Sequence, residues 1–237
     1  MPDRLAMPAR LPRVAAAWGV HLLTASGAPA GVLTILAAMR GDLRTAFAWM
    51  AYTLFVDAID GTLARAVRVK EVLPSVDGAR LDDIVDYFTY VIVPVVFVLV
   101  TGMVPGGAAL PVAVALCLAS AYGFAQTAAK TADHFFTGFP SYWNVVVFYL
   151  WALGWPPWAN AVVLLVLAVL VFVPIRYVYP SRTPTLRALT ITLGVLWGLV
   201  MLWALARVPT PPRALVTASL AYPAYYVGLS LWLQRRR

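Results

Sequence analysis

Long apolar runs alternate with short polar connections along this chain. Eight runs stand out, at about 15–38, 45–63, 83–104, 108–129, 142–155, 158–176, 187–206 and 214–233. Most approach the roughly 20 residues that carry a helix across a hydrocarbon core of about 30 Å. The connections hold residues that end helices: Arg40-Gly41-Asp42, Pro105-Gly106-Gly107, Gly154-Trp155-Pro156-Pro157 and Pro209-Thr210-Pro211-Pro212. Lipid offers no partner to a backbone N–H or C=O, so runs of this kind fold as helices. The pattern predicts an all-α integral membrane protein of about eight transmembrane helices, a single membrane domain over 1–237. The fifth run is the shortest. Residues 1–14 read as a basic, proline-broken lead into a retained first span, with no cleavable signal.

Composition agrees with the pattern. The chain is 62% hydrophobic and 12% charged, against about 25% charged in soluble domains. The net charge of +8 would suggest nucleic acid in a soluble protein. Here it fits basic loops facing anionic lipid, and no nucleic-acid partner is expected. The single cysteine, Cys117, excludes an intramolecular disulfide. With the N-terminus inside, fourteen of the eighteen Lys and Arg residues fall on inner segments. That bias places both termini in the cytoplasm.

Charge then changes the picture in one place. Seven of the ten acidic residues lie between Val56 and Tyr87. Asp57 and Asp60 are three apart, and Gly78, Asp82 and Asp86 step by four, so each set shares one helix face. Asp57 lies 12 residues beyond Thr45 at the outer end of span two, about 18 Å inward. Asp86 lies 18 residues before Val104 at the outer end of span three, about 27 Å away. Both pairs should meet at the cytoplasmic side, between spans two and three. Charge at such depth marks a functional site.

Four carboxylates on two helices suit a pair of Mg2+ or Mn2+ ions, which take oxygen ligands and share them with phosphates. Two such ions stabilise the attacking and leaving oxygens of a phosphoryl displacement. Gly61, Ala64 and Gly78 are small, leaving room for a ligand or a close helix. Arg65 is placed to meet a phosphate. Asp86 sits deepest, in the most apolar surroundings, and is the candidate general base. Pairing of these acids with Arg65, Arg68 and Arg80 is the competing explanation, but it leaves the spacing and the glycines as coincidence. Glu71 and Asp77 lack helical spacing and read as solvated loop charges. His21 reads as a packing residue and His134 as a loop histidine. An ion path would need polar groups near the midplane, whereas these acids gather at one face.

The residues also resemble a known family. Asp57-x2-Asp60-Gly61-x2-Ala64-Arg65 followed by Gly78-x3-Asp82-x3-Asp86 is similar to the signature of the CDP-alcohol phosphotransferases. These membrane enzymes move a substituted phosphoryl group from a CDP-linked donor to an alcohol. The resemblance proper covers about 30 residues, 57–86. Twelve residues separate Arg65 from Gly78, where most of the family has eight. That gap and the eight spans resemble the bacterial branch that makes phosphatidylcholine.

The resemblance implies transfer of a phosphatidyl group from CDP-diacylglycerol to choline with release of CMP, in a bacterial inner membrane, aided by Mn2+. Serine, inositol phosphate or glycerol phosphate are the alternative acceptors. By position, Asp57, Asp60, Asp82 and Asp86 would hold metal, and Asp86 would also serve as the base. Gly61, Ala64, Arg65 and Gly78 would line the CDP site. Aromatic cages recognise quaternary ammonium groups, so Tyr87, Tyr142, Trp143 and Tyr179 are candidates for choline, against the interface-anchoring role common to membrane aromatics. Oligomeric state, a homodimer included, stays open.

Overall fold

The structure is a computed structural model that describes residues 7–126, 135–178 and 183–235. Each predicted run is helical, but the ends move. The first run is two helices, α1 (Met7–Ala25) and α2 (Gly27–Met39), meeting at Ser26. Pro29 explains the break: it brings no N–H to the helix, and its ring collides with the carbonyl four residues earlier, at Ala25, where α1 ends. The Ser26 hydroxyl donates to the Leu23 carbonyl at 2.5 Å and meets the Tyr52 hydroxyl at 2.8 Å.

The second run is α3 (Leu43–Val67), 25 residues long. Asp42 caps it, accepting from the Thr45 N–H at 3.1 Å. A one-turn helix, α4 (Val69–Val72), follows. The third run starts earlier than its hydrophobicity suggests. It comprises α5 (Gly78–Asp86), a π-helical turn over Tyr87–Ile92 and α6 (Val93–Thr101). Asp77 accounts for the early start by accepting from the N–H groups of Ala79 and Arg80. The presumed loop charge is therefore a helix cap.

Beyond these lie α7 (Gly106–Ala125), α8 (Trp143–Leu153), α9 (Pro157–Leu170), α10 (Arg187–Ala206), α11 (Arg213–Ser219) and α12 (Ala221–Arg235). The sixth run stops at Leu170 rather than 176. There the chain turns, and β2 (Arg176–Val178) pairs antiparallel with β1 (Phe135–Thr137), Phe136 opposite Tyr177. This short ribbon is the one departure from an all-α fold among the described residues. Gly138 lets it pack: its φ is +81°, and a Cβ there would stand 2.2 Å from the Val171 carbonyl oxygen.

Among the described residues, five stretches are long and apolar enough to cross a membrane: Leu11–Met39, Gly78–Thr101, Gly106–Ala125, Arg187–Ala206 and Arg213–Arg235. α8 and α9 are apolar but shorter, and α3 carries Arg44, Asp57, Asp60 and Arg65. By length and hydropathy, five of the expected eight crossings are supported among the described residues. The core gathers around Phe47 of α3, whose ring lies 4.8 Å from Phe97 and 5.0 Å from both Phe148 and Trp151. Leu22, Leu110, Leu118, Trp158 and Val169 stand exposed on the outside. Such a surface suits lipid rather than water.

Candidate active site

α3 and the α5 segment carry the acids, and helical spacing turns them toward one another as the sequence predicts. Oxygens of Asp57, Asp82 and Asp86 all lie within 4.8 Å of one another, each residue half-buried. Three carboxylates this close repel unless a cation or a proton joins them. The donor set is oxygen only, which suits Mg2+ or Mn2+.

Asp60 stands differently. It is buried, and its Oδ2 accepts a 2.7 Å hydrogen bond from the Thr24 hydroxyl of α1. It does not belong to the converging trio. It does share a small cavity with Asp57 and Asp86, lined also by Thr24, Gly27 and Thr53, of about 10 Å³. That is close to the least volume that holds one water-sized occupant, roughly 10–15 Å³.

The π-helical turn begins directly after Asp86. Such turns occur often at functional sites. Within it, the Tyr90 hydroxyl donates to Asp57 Oδ2 at 2.7 Å. The acids on α3 are thus tied from two sides, by Thr24 and by Tyr90. Sequence reasoning missed both. Tyr90 carried a signal, since it continues the four-residue step of Asp82 and Asp86. Thr24 carried none, because its partner lies 36 residues away on another helix.

The small residues divide. A Cβ at Gly61 would meet the Arg65 Nη1 at 3.4 Å and nothing closer, so its face opens onto space beside that guanidinium. Arg65 is exposed and donates to the Thr62 hydroxyl at 2.9 Å. Ala64 packs against the small cluster of Ala17, Val20 and Val69. A Cβ at Gly78 would stand 3.0 Å from Cε1 of His21. Gly78 and Ala64 therefore let α1 lie close, with the buried His21 against α5.

Of the aromatic candidates, Tyr142 approaches the acids: its ring lies 5.8 Å from Tyr90. Tyr87 donates to the Cys117 carbonyl and packs on Phe124. Trp143 is fully buried and donates to the Ser120 hydroxyl at 2.7 Å. Tyr179 and His134 lie outside the described residues.

A helical membrane bundle bearing the acidic pattern of 57–65 and 78–86 is consistent with the CDP-alcohol phosphotransferase class. No family model matches the chain. Individual relatives are specific. The chain is 44% identical to a phosphatidylcholine synthase of Legionella pneumophila over 232 residues, covering 95% of this chain and 91% of that protein. A phosphatidylcholine synthase of Legionella bozemanae is 39% identical over 209 residues, 85% of this chain and 96% of that one. Another, from Pseudomonas aeruginosa, is 35% identical over 222 residues, 94% and 93% of the two chains. The chain belongs to the phosphatidylcholine synthase family.

Proposed function

We propose that the chain transfers the phosphatidyl group of CDP-diacylglycerol to choline, giving phosphatidylcholine and CMP. The convergence of Asp57, Asp82 and Asp86 carries this reading, and the family supplies the direction. Asp57, Asp60, Asp82 and Asp86 would hold Mn2+ or Mg2+, two ions in all. Bound there, the metal would neutralise diphosphate charge and stabilise the departing CMP.

The remaining work falls to side chains. The open face at Gly61 accepts the nucleotide, with Ala64 and Gly78 shaping its edge, and the Arg65 guanidinium pairs with a phosphate. Asp86 takes the proton from the choline hydroxyl as that oxygen attacks the β-phosphorus. The new P–O bond forms as the bond to CMP breaks. Tyr142, beside Tyr90, presents an aromatic face to the trimethylammonium group, and Tyr87, Trp143 and Tyr179 are further choices for that cage. The membrane is the bacterial inner membrane, with both termini and the acids on the cytoplasmic side.

The test is an acceptor panel. Purified protein with CDP-diacylglycerol and Mn2+ is offered choline, serine, inositol phosphate or glycerol phosphate, and CMP release is measured. Release with choline alone is the expected result. Preference for another alcohol would move the acceptor and keep the reaction class. No release with any of them would overturn the reaction.

A further inference from the structure

A trimethylammonium group carries its charge inside methyl groups. It donates no hydrogen bond and is recognised by the faces of aromatic rings. In choline two carbons separate that group from the hydroxyl. An acceptor hydroxyl held at Asp86 therefore brings the ammonium close to the acids. Tyr142, at the start of α8, supplies one ring there. Its centre is 5.8 Å from that of Tyr90, whose hydroxyl donates to Asp57. One ring is half a cage. Tyr87 is committed to the Cys117 carbonyl, and Trp143 is fully buried on Ser120.

The last helix brings a second ring. The Tyr226 phenol of α12 lies within electrostatic range of those of Tyr142, Tyr177 and Tyr222. Tyr177 runs nearly parallel to Tyr226, with 11° between the planes and 6.1 Å between the centres. Tyr177 is buried, whereas Tyr142 and Tyr226 are half-buried and keep accessible surface. The Tyr226 ring is also fixed in place. Its hydroxyl donates to the Val178 carbonyl at 2.8 Å. One turn on, the Ser230 hydroxyl accepts from the Val178 N–H at 3.1 Å. A further turn on, Gln234 Oε1 accepts from the Arg176 N–H at 3.2 Å. Three side chains at steps of four, on one helix face, thus clamp β2 to α12. A ring held in this way has little freedom left to lose when a ligand binds.

We infer that Tyr226 forms the second wall of the acceptor site, facing Tyr142 across the trimethylammonium group, with Tyr177 supporting it. The inference rests on the acceptor proposed above. It makes a residue of the last helix a determinant of acceptor choice. Clamping of β2 alone, with no contact to the acceptor, is the competing role.

Ring electronics separate the two roles. Tyr226→Phe loses the bond to Val178 and keeps the ring face, so it serves as the reference. Monofluorinated and trifluorinated phenylalanine are then placed at the same position. Fluorine withdraws charge from the ring face at nearly constant volume, which weakens cation binding and leaves packing alone. KM for choline should climb stepwise along the series, about three- to thirtyfold in all, while KM for CDP-diacylglycerol holds. Tyr226→Leu should raise it at least as far. A flat series overturns the inference, and so does an equal change in KM for both substrates. Inhibition by phosphatidylcholine that follows the series, with KM for choline flat, would assign the rings to a lipid headgroup and overturn it too. If wild-type protein releases no CMP with choline, the proposed reaction fails separately. Equilibrium binding of radiolabelled choline, with Mn2+ and CMP present, then reads the same series. A stepwise rise in Kd upholds the aromatic wall, and a flat series or no binding overturns it.

Discussion

Tyr90 donates a 2.7 Å hydrogen bond to Asp57 across 33 residues of sequence. The phenol belongs to the π-helical turn that starts after Asp86, and the carboxylate belongs to α3. One hydrogen bond therefore links the two acid-bearing segments and fixes how one of the three converging carboxylates faces the others. Tyr90 is 3% exposed, so no solvent competes for it.

Tyr90→Phe should keep the packing and lose this orientation. Outer partners of metal-binding carboxylates are worth about 10–100-fold in metal affinity or activity. The half-saturating Mn2+ concentration for CMP release should rise by that order. A variant with wild-type Mn2+ dependence would show that the phenol serves packing alone.

Removing the divalent cation should stop the reaction. Excess chelator is expected to abolish CMP release, and added Mn2+ to restore it. Asp57→Asn, Asp60→Asn and Asp82→Asn should each lose metal-dependent turnover while the protein still inserts, since each deletes a charged oxygen ligand. Full turnover in chelator, or near-normal rates in two of the three variants, would count against the metal site.

Asp86→Asn separates base from ligand. General-base help is worth about 10²–10⁴ in rate, so kcat should fall by that order while CDP-diacylglycerol still binds with Mn2+ present. Loss of metal binding along with the rate would make Asp86 chiefly a ligand. A small effect on kcat would place the base elsewhere.

The two signature glycines should fail in different ways. Gly61→Leu points into open space beside Arg65. It should keep the thermal midpoint in detergent and lose donor affinity. Gly78→Leu drives side-chain atoms into the His21 ring, an overpacking worth about 1–3 kcal/mol. It should lower the midpoint, and His21→Ala should restore part of it. Equal thermal losses at both positions would contradict this division.

Periodicity made the helices legible, and three- and four-residue steps made the acids legible, because both follow from local geometry. The clustering of Asp57, Asp82 and Asp86 came from that alone. What stayed hidden depends on distant neighbours. Gly78 suited a ligand or a close helix equally, since the sequence does not say that α1 and its His21 pack there. Asp77 looked like a solvated charge, because the helix it caps begins before the hydrophobic run. The C-terminal end of the sixth run misled for a related reason: Val171 to Arg176 continue an apolar run, yet the turn after Leu170 and strand pairing with Phe135–Thr137 take them out of the helix.

Thr24 and Asp60 have a meaning for biogenesis. A carboxylate in an inserting helix is costly, up to about 2.5–3.5 kcal/mol at the centre and less toward the ends, and α3 carries two, at Asp57 and Asp60. The Thr24 hydroxyl comes from α1, which is synthesised first, and it is the group that meets Asp60. The leading helices thus act as a receiving partner, so α3 is expected to leave the translocon together with the α1–α2 pair rather than by itself. The order of the chain, with Asp60 placed after its hydrogen-bond donor, is also an order of assembly.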